Sequence, residues 1–358
     1  MALAICRENT YPDGVTLLEN PLANRPHTMA KGVVMKTHNL LYLSRQNVED
    51  VDLPMSEIIR ALDSMFTEKG MGRVEMPPKP GIHTRKDAFI HAMPAYIPSM
   101  ESAGIKWVSG YPENPKKGLP YIAGLLILND PDTGVPMAVM DATWITAKRT
   151  GAATAVAATY LARRDSSSVG IIACGVQGRS NLEALTTVFS IKKVKAFDIY
   201  PEVTERFARE MTEQLHLDIE PVRHPREAVV GMDIVVTSSP LAKEPTPVIE
   251  PGWLGEGAFA SPVDLDTYWQ GAALEQTDRL ATDDLGQMRY FREIGYFQST
   301  PQPYADLGEI AAGKKPGRQT DKERTVCINV GLALDDVATA ILIYRKAVEK
   351  DIGTELPL

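Results

Sequence analysis

A glycine-containing segment follows an apolar run near the middle of the 358-residue chain. Residues 169–172 read Val-Gly-Ile-Ile, which is typical of a fully buried parallel strand. Residues 173–178 read Ala-Cys-Gly-Val-Gln-Gly and lead into a predicted helix over 179–189. A second apolar run ends at Asp198, twenty residues beyond the last of these glycines. Strand, glycine turn, helix and acid therefore follow one another in this order.

This order predicts a dinucleotide-binding site. Glycines let the backbone approach a pyrophosphate, and a helix N-terminus offers unpaired N–H groups and a positive dipole. Asp198 would accept hydrogen bonds from an adenosine ribose and repel a 2′-phosphate, so we expect NAD(H) rather than NADP(H). Ala173 stands at the first glycine position, and we expect the tight turn only if its φ is negative. The alternative is a structural turn in which Asp198 is an ordinary solvated acid.

Three cations stand in unusual sequence surroundings. Lys106 lies inside an apolar predicted strand, where a buried ammonium needs an anion as partner unless the side chain faces solvent. Arg149 lies on an alanine-rich predicted helix and could bind a carboxylate with two nitrogens, or form an interdomain salt bridge. Lys79 lies in a stiff segment with prolines on both sides, which suits a binding cation as well as a surface lysine. These three side chains are candidates for holding a small anion.

Two acids follow a predicted strand over 257–260 in the second half of the chain. Asp264 and Asp266 would lie at the carboxyl end of that strand, where ligands bind in a parallel sheet. An acid there could donate or accept a proton during catalysis. The alternative is that one or both of these aspartates cap the N-terminus of a helix.

Composition excludes several classes of protein. A net charge of −8 supplies no basic surface for nucleic acid, and no apolar run is long enough to span a membrane. Six histidines without metal-ligand spacing and three scattered cysteines predict neither a metal site nor a disulfide framework. We therefore expect a cytoplasmic protein without a structural metal.

The predicted elements change character along the chain. The first half contains predicted strands with one helix over 51–69, and the turn-rich residues 129–134 predict a hairpin. The predicted strands of this half are 40–43, 88–93, 104–109, 122–128 and 136–140. From residue 169 onward strands and helices alternate, which predicts an α/β fold with a doubly wound parallel sheet.

Several motifs, spread over about residues 76–350, resemble the ornithine cyclodeaminase/mu-crystallin family. They are the stretches 103–114, 118–120, 128–136, 140–152, 175–177, 306–309, 313–318 and 331–336. The resemblance implies a Rossmann-type doubly wound parallel sheet joined to a β-rich α+β substrate and dimerisation domain. With it, we expect an N-terminal extension over 1–37, the substrate domain over 38–140 plus 330–358, and the Rossmann domain over 141–329.

The resemblance also implies roles for the candidate residues. Lys106 and Arg149, with Lys79 near a position where relatives often carry arginine, look like carboxylate-binding groups. Asp264 looks like the catalytic acid or base, with Asp266 as the alternative, and Lys106 belongs to the same catalytic set. The cofactor-binding residues expected from the turn and the resemblance are Thr150, Ala173, Gly175, Val176, Gln177, Gly178, Asp198 and Ser238.

The implied activity is NAD(H)-dependent chemistry at the α-carbon of a small amino or imino acid. Amino-acid dehydrogenases and imine reductases fit this description, and so does an ornithine cyclodeaminase that forms proline and ammonia with bound NAD. A mu-crystallin-like protein that binds ligands without turnover is a further alternative. We expect a homodimer in each case.

Overall fold

The computed structural model describes residues 8–10, 16–18, 38–241 and 244–358. Glu8–Thr10 (β1) and Thr16–Leu18 (β2) pair as antiparallel strands and belong to a unit of their own. The rest of the predicted extension over 1–37 lies outside the described residues. Asn39–Leu358 form the second unit, which contains the two large sheets.

One sheet has seven strands, formed mainly by the first half of the chain. The strands are Asn39–Leu43 (β3), Gly81–Ile82 (β4), Phe89–Ile97 (β5), Ser102–Gly110 (β6), Ile122–Asn129 (β7), Pro136–Asp141 (β8) and Thr354–Pro357 (β17). Their order is β17-β3-β8-β7-β6-β5-β4, and each pair is antiparallel except β3 with β8. The predicted hairpin joins β7 to β8.

The other sheet has eight parallel strands. They are Ser168–Ile172 (β9), Lys193–Phe197 (β10), Ile219–Pro221 (β11), Ile234–Thr237 (β12), Phe259–Pro262 (β13), Arg279–Thr282 (β14), Ala305–Asp306 (β15) and Thr325–Ile328 (β16). The order β11-β10-β9-β12-β13-β16-β14-β15 reverses direction at β9, so the predicted Rossmann-type sheet is confirmed. Ligands of such sheets bind where the strand order reverses, at the carboxyl ends of the strands.

Helices connect the strands and cover both sheets. They are Arg45–Asp50 (α1), Met55–Gly70 (α2), Thr143–Leu161 (α3), Val176–Val188 (α4), Pro201–Leu215 (α5), Pro225–Val229 (α6), Gly271–Leu274 (α7), Leu285–Glu293 (α8), Leu307–Ala311 (α9) and Ala333–Glu349 (α10). The single helix predicted over 51–69 is wrong at its start, because Asp52 has a φ of 50° and Pro54 precedes α2. Two short 3-10 helices, Pro98–Met100 and Pro115–Lys117, lie at turns.

Helix α3 contacts strands of both sheets, β7 of one and β13 and β16 of the other, and also packs against α2, α4 and α10. Its small residues allow this close approach: a Cβ added to Gly151 would lie 2.3 Å from the backbone oxygen of Ser180 in α4. The Asp141 carboxylate caps the helix by accepting the backbone N–H of Thr143 at 3.0 Å. Helix α10 packs on β5, β6 and β7. The described helices include none that is both long and apolar enough to cross a membrane.

Candidate active site

The turn between β9 and α4 lies at the reversal point of the parallel sheet. Ala173 has a φ of 70°, yet the turn forms, so the expectation that a tight turn requires a negative φ at this residue is wrong. Two hydrogen bonds hold this residue in the left-handed region: its N–H donates to Phe197 O at 2.8 Å, and its carbonyl accepts from Ser238 Oγ at 2.9 Å. Neighbouring strands therefore impose a conformation that alanine alone disfavours.

The two glycines of the turn have different surroundings. A Cβ on Gly178 would lie 2.6 Å from the backbone oxygen of Ala173, so the glycine lets α4 approach β9. Among the described residues, a Cβ on Gly175 would meet no atom within 4 Å, and no side chain caps the N-terminus of α4. The first N–H groups of this helix are thus left uncapped and the turn has room beside Gly175, as binding of a pyrophosphate requires.

Asp198 follows β10 directly and lies beside the turn. Its carboxylate accepts hydrogen bonds from the backbone N–H of Cys174 at 2.9 Å and of Tyr200 at 3.1 Å. These bonds fix the orientation of an acid that stays half-buried. Val176, Ile199 and Tyr200 are exposed around it. Turn, helix end and acid together fit a dinucleotide with a free ribose 2′-hydroxyl.

Lys106 and Arg149 meet in a buried ionic cluster. Lys106 is fully buried, which excludes the solvent-facing alternative, and its Nζ lies 2.7 Å from Asp336 Oδ2. Arg149 Nε lies 3.0 Å from Asp336 Oδ1, and its Nη1 lies 3.4 Å from Asp335 Oδ2. Both acids lie in the first turn of α10. Strand β6 and helices α3 and α10 therefore bring the predicted cations to one place.

Lys79 joins this cluster rather than the surface. Its Nζ donates to Val330 O at 2.7 Å and to Gly331 O at 3.0 Å, and lies 5.0 Å from the centre of the Phe291 ring. The Asp283 carboxylate accepts the N–H groups of the same two residues, Val330 and Gly331. Asp283 thereby fixes the peptide segment whose carbonyls hold the ammonium.

The acids of the cluster, Asp283, Asp335 and Asp336, were not predicted from sequence as site residues. The available signal was Asp335-Asp336 at the start of an otherwise apolar helix. Acids in a first helical turn are common, because they complement the helix dipole. The pair therefore did not indicate a site without its cationic partners, which lie far away in sequence.

Burial changes the ionisation of the cluster. It lowers the pKa of Lys106 to about 7 and that of Lys79 to about 8, with further lowering from neighbouring Arg149. Burial also raises the pKa of Asp335 to about 7 and that of Asp283 to about 6. Cations and acids that titrate near neutrality in one pocket are typical of functional sites.

Thr146 connects the ionic cluster to the dinucleotide turn. Its hydroxyl accepts a hydrogen bond from Lys106 Nζ at 3.2 Å, and its carbonyl accepts from Gln177 Nε2 at 3.4 Å. The Thr150 hydroxyl donates to the same carbonyl at 2.8 Å. One turn of α3 therefore contacts the lysine and the start of α4 at once.

Asp264 follows strand β13 and is fully buried. Its carboxylate accepts hydrogen bonds from Thr237 Oγ1 at 2.7 Å and from the N–H and hydroxyl of Ser239 at 2.9 and 3.0 Å. Burial raises the pKa of Asp264 to about 6. The adjacent residue Ser238 binds the carbonyl of Ala173, so Asp264 lies beside the predicted cofactor site.

Asp266 has a different partner from Asp264. Its carboxylate accepts a hydrogen bond from Thr300 Oγ1 at 3.0 Å. The helix-cap alternative is wrong for both aspartates, because the next helix begins at Gly271 with Gln270 as its cap residue. No group of metal ligands occurs among the described residues.

The sequence pattern of the ornithine cyclodeaminase/mu-crystallin family matches residues 40–351. The chain belongs to this family.

Characterised members are similar over nearly their whole length. The alanine dehydrogenase of Archaeoglobus fulgidus is 37% identical over 88% of this chain and 98% of that protein. The structure of Thermococcus litoralis Δ1-pyrroline-2-carboxylate reductase with NADH and L-proline superposes with a TM-score of 0.81, at 37% identity over 88% of this chain and all of that one. A dimeric archaeal alanine dehydrogenase with bound NAD gives a TM-score of 0.80, at 35% identity over 89% of this chain and 99% of that one.

Proposed function

We propose that this family member is an NAD(H)-dependent oxidoreductase that acts on the α-amino or imino carbon of a small amino acid. The observation that carries the proposal is the buried cluster of the cations Lys79, Lys106 and Arg149, joined to the dinucleotide turn through Thr146. A carboxylate held there would lie next to the nicotinamide side of the cofactor site. The relatives named above are dehydrogenases and reductases of amino and imino acids.

The cations have the chemistry to orient a substrate carboxylate. Arg149 presents a planar guanidinium that can donate two parallel hydrogen bonds, and Lys106 adds an ammonium next to it. Asp336 contacts both cations and keeps them in fixed positions. Two cations around one carboxylate fix the direction in which the α-carbon points, and such orientation can lower a barrier by several kcal/mol.

The turn residues would hold NAD, which supplies hydride acceptance and return at the α-carbon when it is bound. The uncapped start of α4 would bind the pyrophosphate, and Asp198 the ribose of the adenosine half. An acid at this position disfavours the 2′-phosphate of NADP. The other proposed contacts are Thr150, Ala173, Gly175, Val176, Gln177, Gly178 and Ser238.

Asp264 is the proposed proton-transfer group. An acid whose pKa is raised to about 6 is mostly ionised at neutral pH yet close enough to neutrality to exchange protons readily. It would accept a proton from the substrate amine during oxidation and return one during imine reduction. Asp266 stays the alternative, and its distinct hydrogen bond to Thr300 lets the two be separated by mutation.

We further propose a homodimer formed through the outer face of the seven-stranded sheet. Trp107 of β6 and Leu125 of β7 are paired neighbours with about half of their surface exposed, at 50% and 49%. Ile127 extends this apolar patch. Exposed apolar surface of this kind marks interfaces, and a relative with 35% identity is a dimer. The predicted substrate domain, 38–140 plus 330–358, would then also be the dimerisation domain, with 141–329 as the Rossmann domain.

Two free, buried thiols, Cys174 and Cys327, support a proposed site of action in the reducing cytoplasm.

Oxidation of NADH by the purified protein tests the function. We expect loss of NADH absorbance with pyruvate plus ammonia or with a cyclic imino acid, and a large loss of kcat/KM in K106A and R149A. A matched control is K148A, because Lys148 pairs with Glu183 outside the pocket and should be dispensable for substrate binding. Binding of NADH without turnover of any amino or imino acid would contradict catalysis and favour a ligand-binding protein.

A further inference from the structure

The loop after β13 carries two side chains that meet at one residue of the neighbouring strand. Asp264 follows β13, and Trp269 lies five residues further along the same loop. Both contact Thr237, the last residue of β12. Thr237 Oγ1 donates to Asp264 Oδ1 at 2.7 Å, and Trp269 Nε1 donates to Thr237 Oγ1 at 3.2 Å. All three side chains are buried, so they form a continuous hydrogen-bonded chain away from solvent.

The direction of each bond in this chain is fixed by the chemistry of the groups. An indole nitrogen is a donor only, so the oxygen of Thr237 accepts the bond from Trp269. The single hydroxyl proton of Thr237 is then left for Asp264, whose carboxylate is an acceptor. Without the indole, the hydroxyl could rotate and donate elsewhere. Trp269 therefore commits the Thr237 proton to the acid.

Ser239 engages the other oxygen of Asp264. Its backbone N–H and its hydroxyl donate to Asp264 Oδ2 at 2.9 and 3.0 Å. A carboxylate has about four acceptor sites, shared equally between its two oxygens. Among the described residues, donors occupy both sites of Oδ2 and one site of Oδ1. The site that stays open for a proton is therefore on Oδ1, the oxygen that Thr237 contacts.

The hydrogen bonds oppose the effect of burial on Asp264. Burial raises the pKa of this acid to about 6, whereas the bonds from Thr237 and Ser239 lower it, because they stabilise the carboxylate. Removal of a donor would raise the pKa of Asp264 further. The acid would then be neutral at the pH at which it must accept a proton.

The other ionisable groups near Asp264 lie on its own loop and at the dinucleotide turn. Burial, followed by the charges of Asp264, Asp198 and Cys174, raises the pKa of Tyr268 to about 12. Burial raises the pKa of Cys174 to about 12 and also raises that of Asp266. Tyr268 and Cys174 therefore stay neutral in the pH range in which the two aspartates of the loop titrate.

We propose that Trp269 and Thr237 are positioning residues that direct a hydroxyl proton to Asp264 and keep the carboxylate ionised, with Oδ1 available for proton transfer. The inference rests on the proposed function, in which Asp264 exchanges a proton with the substrate amine. Neither residue needs to contact substrate or cofactor, because both act through the acid. Their effect is on the ionisation of Asp264 and on the oxygen at which its proton is exchanged.

The pH dependence of kcat/KM for amino-acid oxidation by the full-length protein measures the ionisation of Asp264. T237V removes the donor, so the limb on which kcat/KM rises with pH should move to higher pH by about one unit. W269F should move it in the same direction by less, whereas T237S keeps the hydroxyl and should retain the wild-type limb. T325V is the matched control and should also retain it, because the fully buried Thr325 hydroxyl donates to Leu161 O at 2.6 Å instead.

Tryptophan emission tests the same chain without turnover, because ionisation of Asp264 should change the hydrogen bond of the Trp269 indole. Wild type should show a transition near pH 6 that T237S keeps and that T237V and D264N lack. A wild-type transition that D264N also shows, or none at all, would overturn the proposal even if T237V fails to fold. An unmoved rising limb in a folded T237V would overturn it as well. Absence of NAD⁺-linked turnover with every amino acid, beside an intact emission transition, would instead overturn the proposed function.

Discussion

Single residues carry the ionisable chemistry of this site. Oxidation of an amino acid needs Asp264 ionised and the two lysines, Lys106 and Lys79, protonated. The pKa of Asp264 is raised to about 6, and those of Lys106 and Lys79 are lowered to about 7 and about 8. We therefore predict a bell-shaped pH profile of kcat/KM that rises near pH 6 and falls between about pH 7 and 8.

The D264N variant tests the assignment of the rising limb. Asparagine cannot accept the proton, so turnover should fall by about 100-fold or more while NADH binding, followed by fluorescence, stays intact. D266N should keep the activity and the pH profile of wild type. If D266N instead loses the activity and D264N retains it, the roles of the two aspartates are exchanged.

Ala173 gives a stability prediction at the same scale. Its φ of 70° suits glycine, so A173G should raise the free energy of unfolding by about 1 kcal/mol. Denaturant titration at constant pH measures the change. A208G, in the middle of α5, is the control and should lower the free energy of unfolding by about 1 kcal/mol. Destabilisation by A173G would contradict the view that the sheet strains this residue.

Sequence reasoning identified the cations more readily than their partners. A lysine inside an apolar strand is unusual enough to indicate a buried site, whereas aspartates at a helix start are ordinary. A residue type predicts a site only where the local sequence pattern implies that the residue is buried at an energetic cost.

At the scale of elements, the β9–α4 turn was predictable because strand, glycines and helix are contiguous in sequence. The break between α1 and α2 was not, since it depends on the left-handed Asp52. The partners of α3 were also unknown from sequence, although its alanines and Gly151 indicated close packing. The packing partners of α3 thus depend on contacts between residues distant in sequence, which local periodicity does not predict.

The two glycines of the turn allow stability and binding to be separated. G178A should lower the free energy of unfolding by about 1–3 kcal/mol, because its Cβ would press on the backbone of Ala173. G175A should change it by less than about 0.5 kcal/mol, because that Cβ meets open space. Both should weaken NADH binding measured by calorimetry, since the Gly175 position faces the proposed pyrophosphate. Undiminished NADH affinity in G175A would argue against a pyrophosphate at this turn.

At the scale of the whole molecule, the two sheets contribute different parts of the site. The parallel sheet forms the dinucleotide turn, and the seven-stranded sheet has a buried face that carries Lys106 and an exposed apolar face. The alternation of Lys106 and Trp107 along β6 directs one side chain into the pocket and the next into the proposed interface. The buried face with Lys106 and the proposed dimer surface are therefore opposite faces of the same strands.

Disruption of the apolar face tests the assembly. L125D should convert a dimer into monomers in sedimentation experiments at micromolar concentration, because a buried unpaired carboxylate is costly. V348D is the matched control: Val348 is also exposed, at 57%, but lies on α10. A monomeric wild-type protein, or an L125D variant that stays dimeric, would exclude this face as the interface.

Transfer of a labelled hydride tests the central claim most directly. The protein is incubated with NADH that carries deuterium at the transferable C4 position, together with pyruvate and ammonia or a cyclic imino acid. Mass spectrometry of the amino-acid product should find one deuterium at the α-carbon, and K106A should form far less of this product. An amino acid without deuterium at that carbon, formed as NADH is consumed, would contradict direct hydride exchange at the site described.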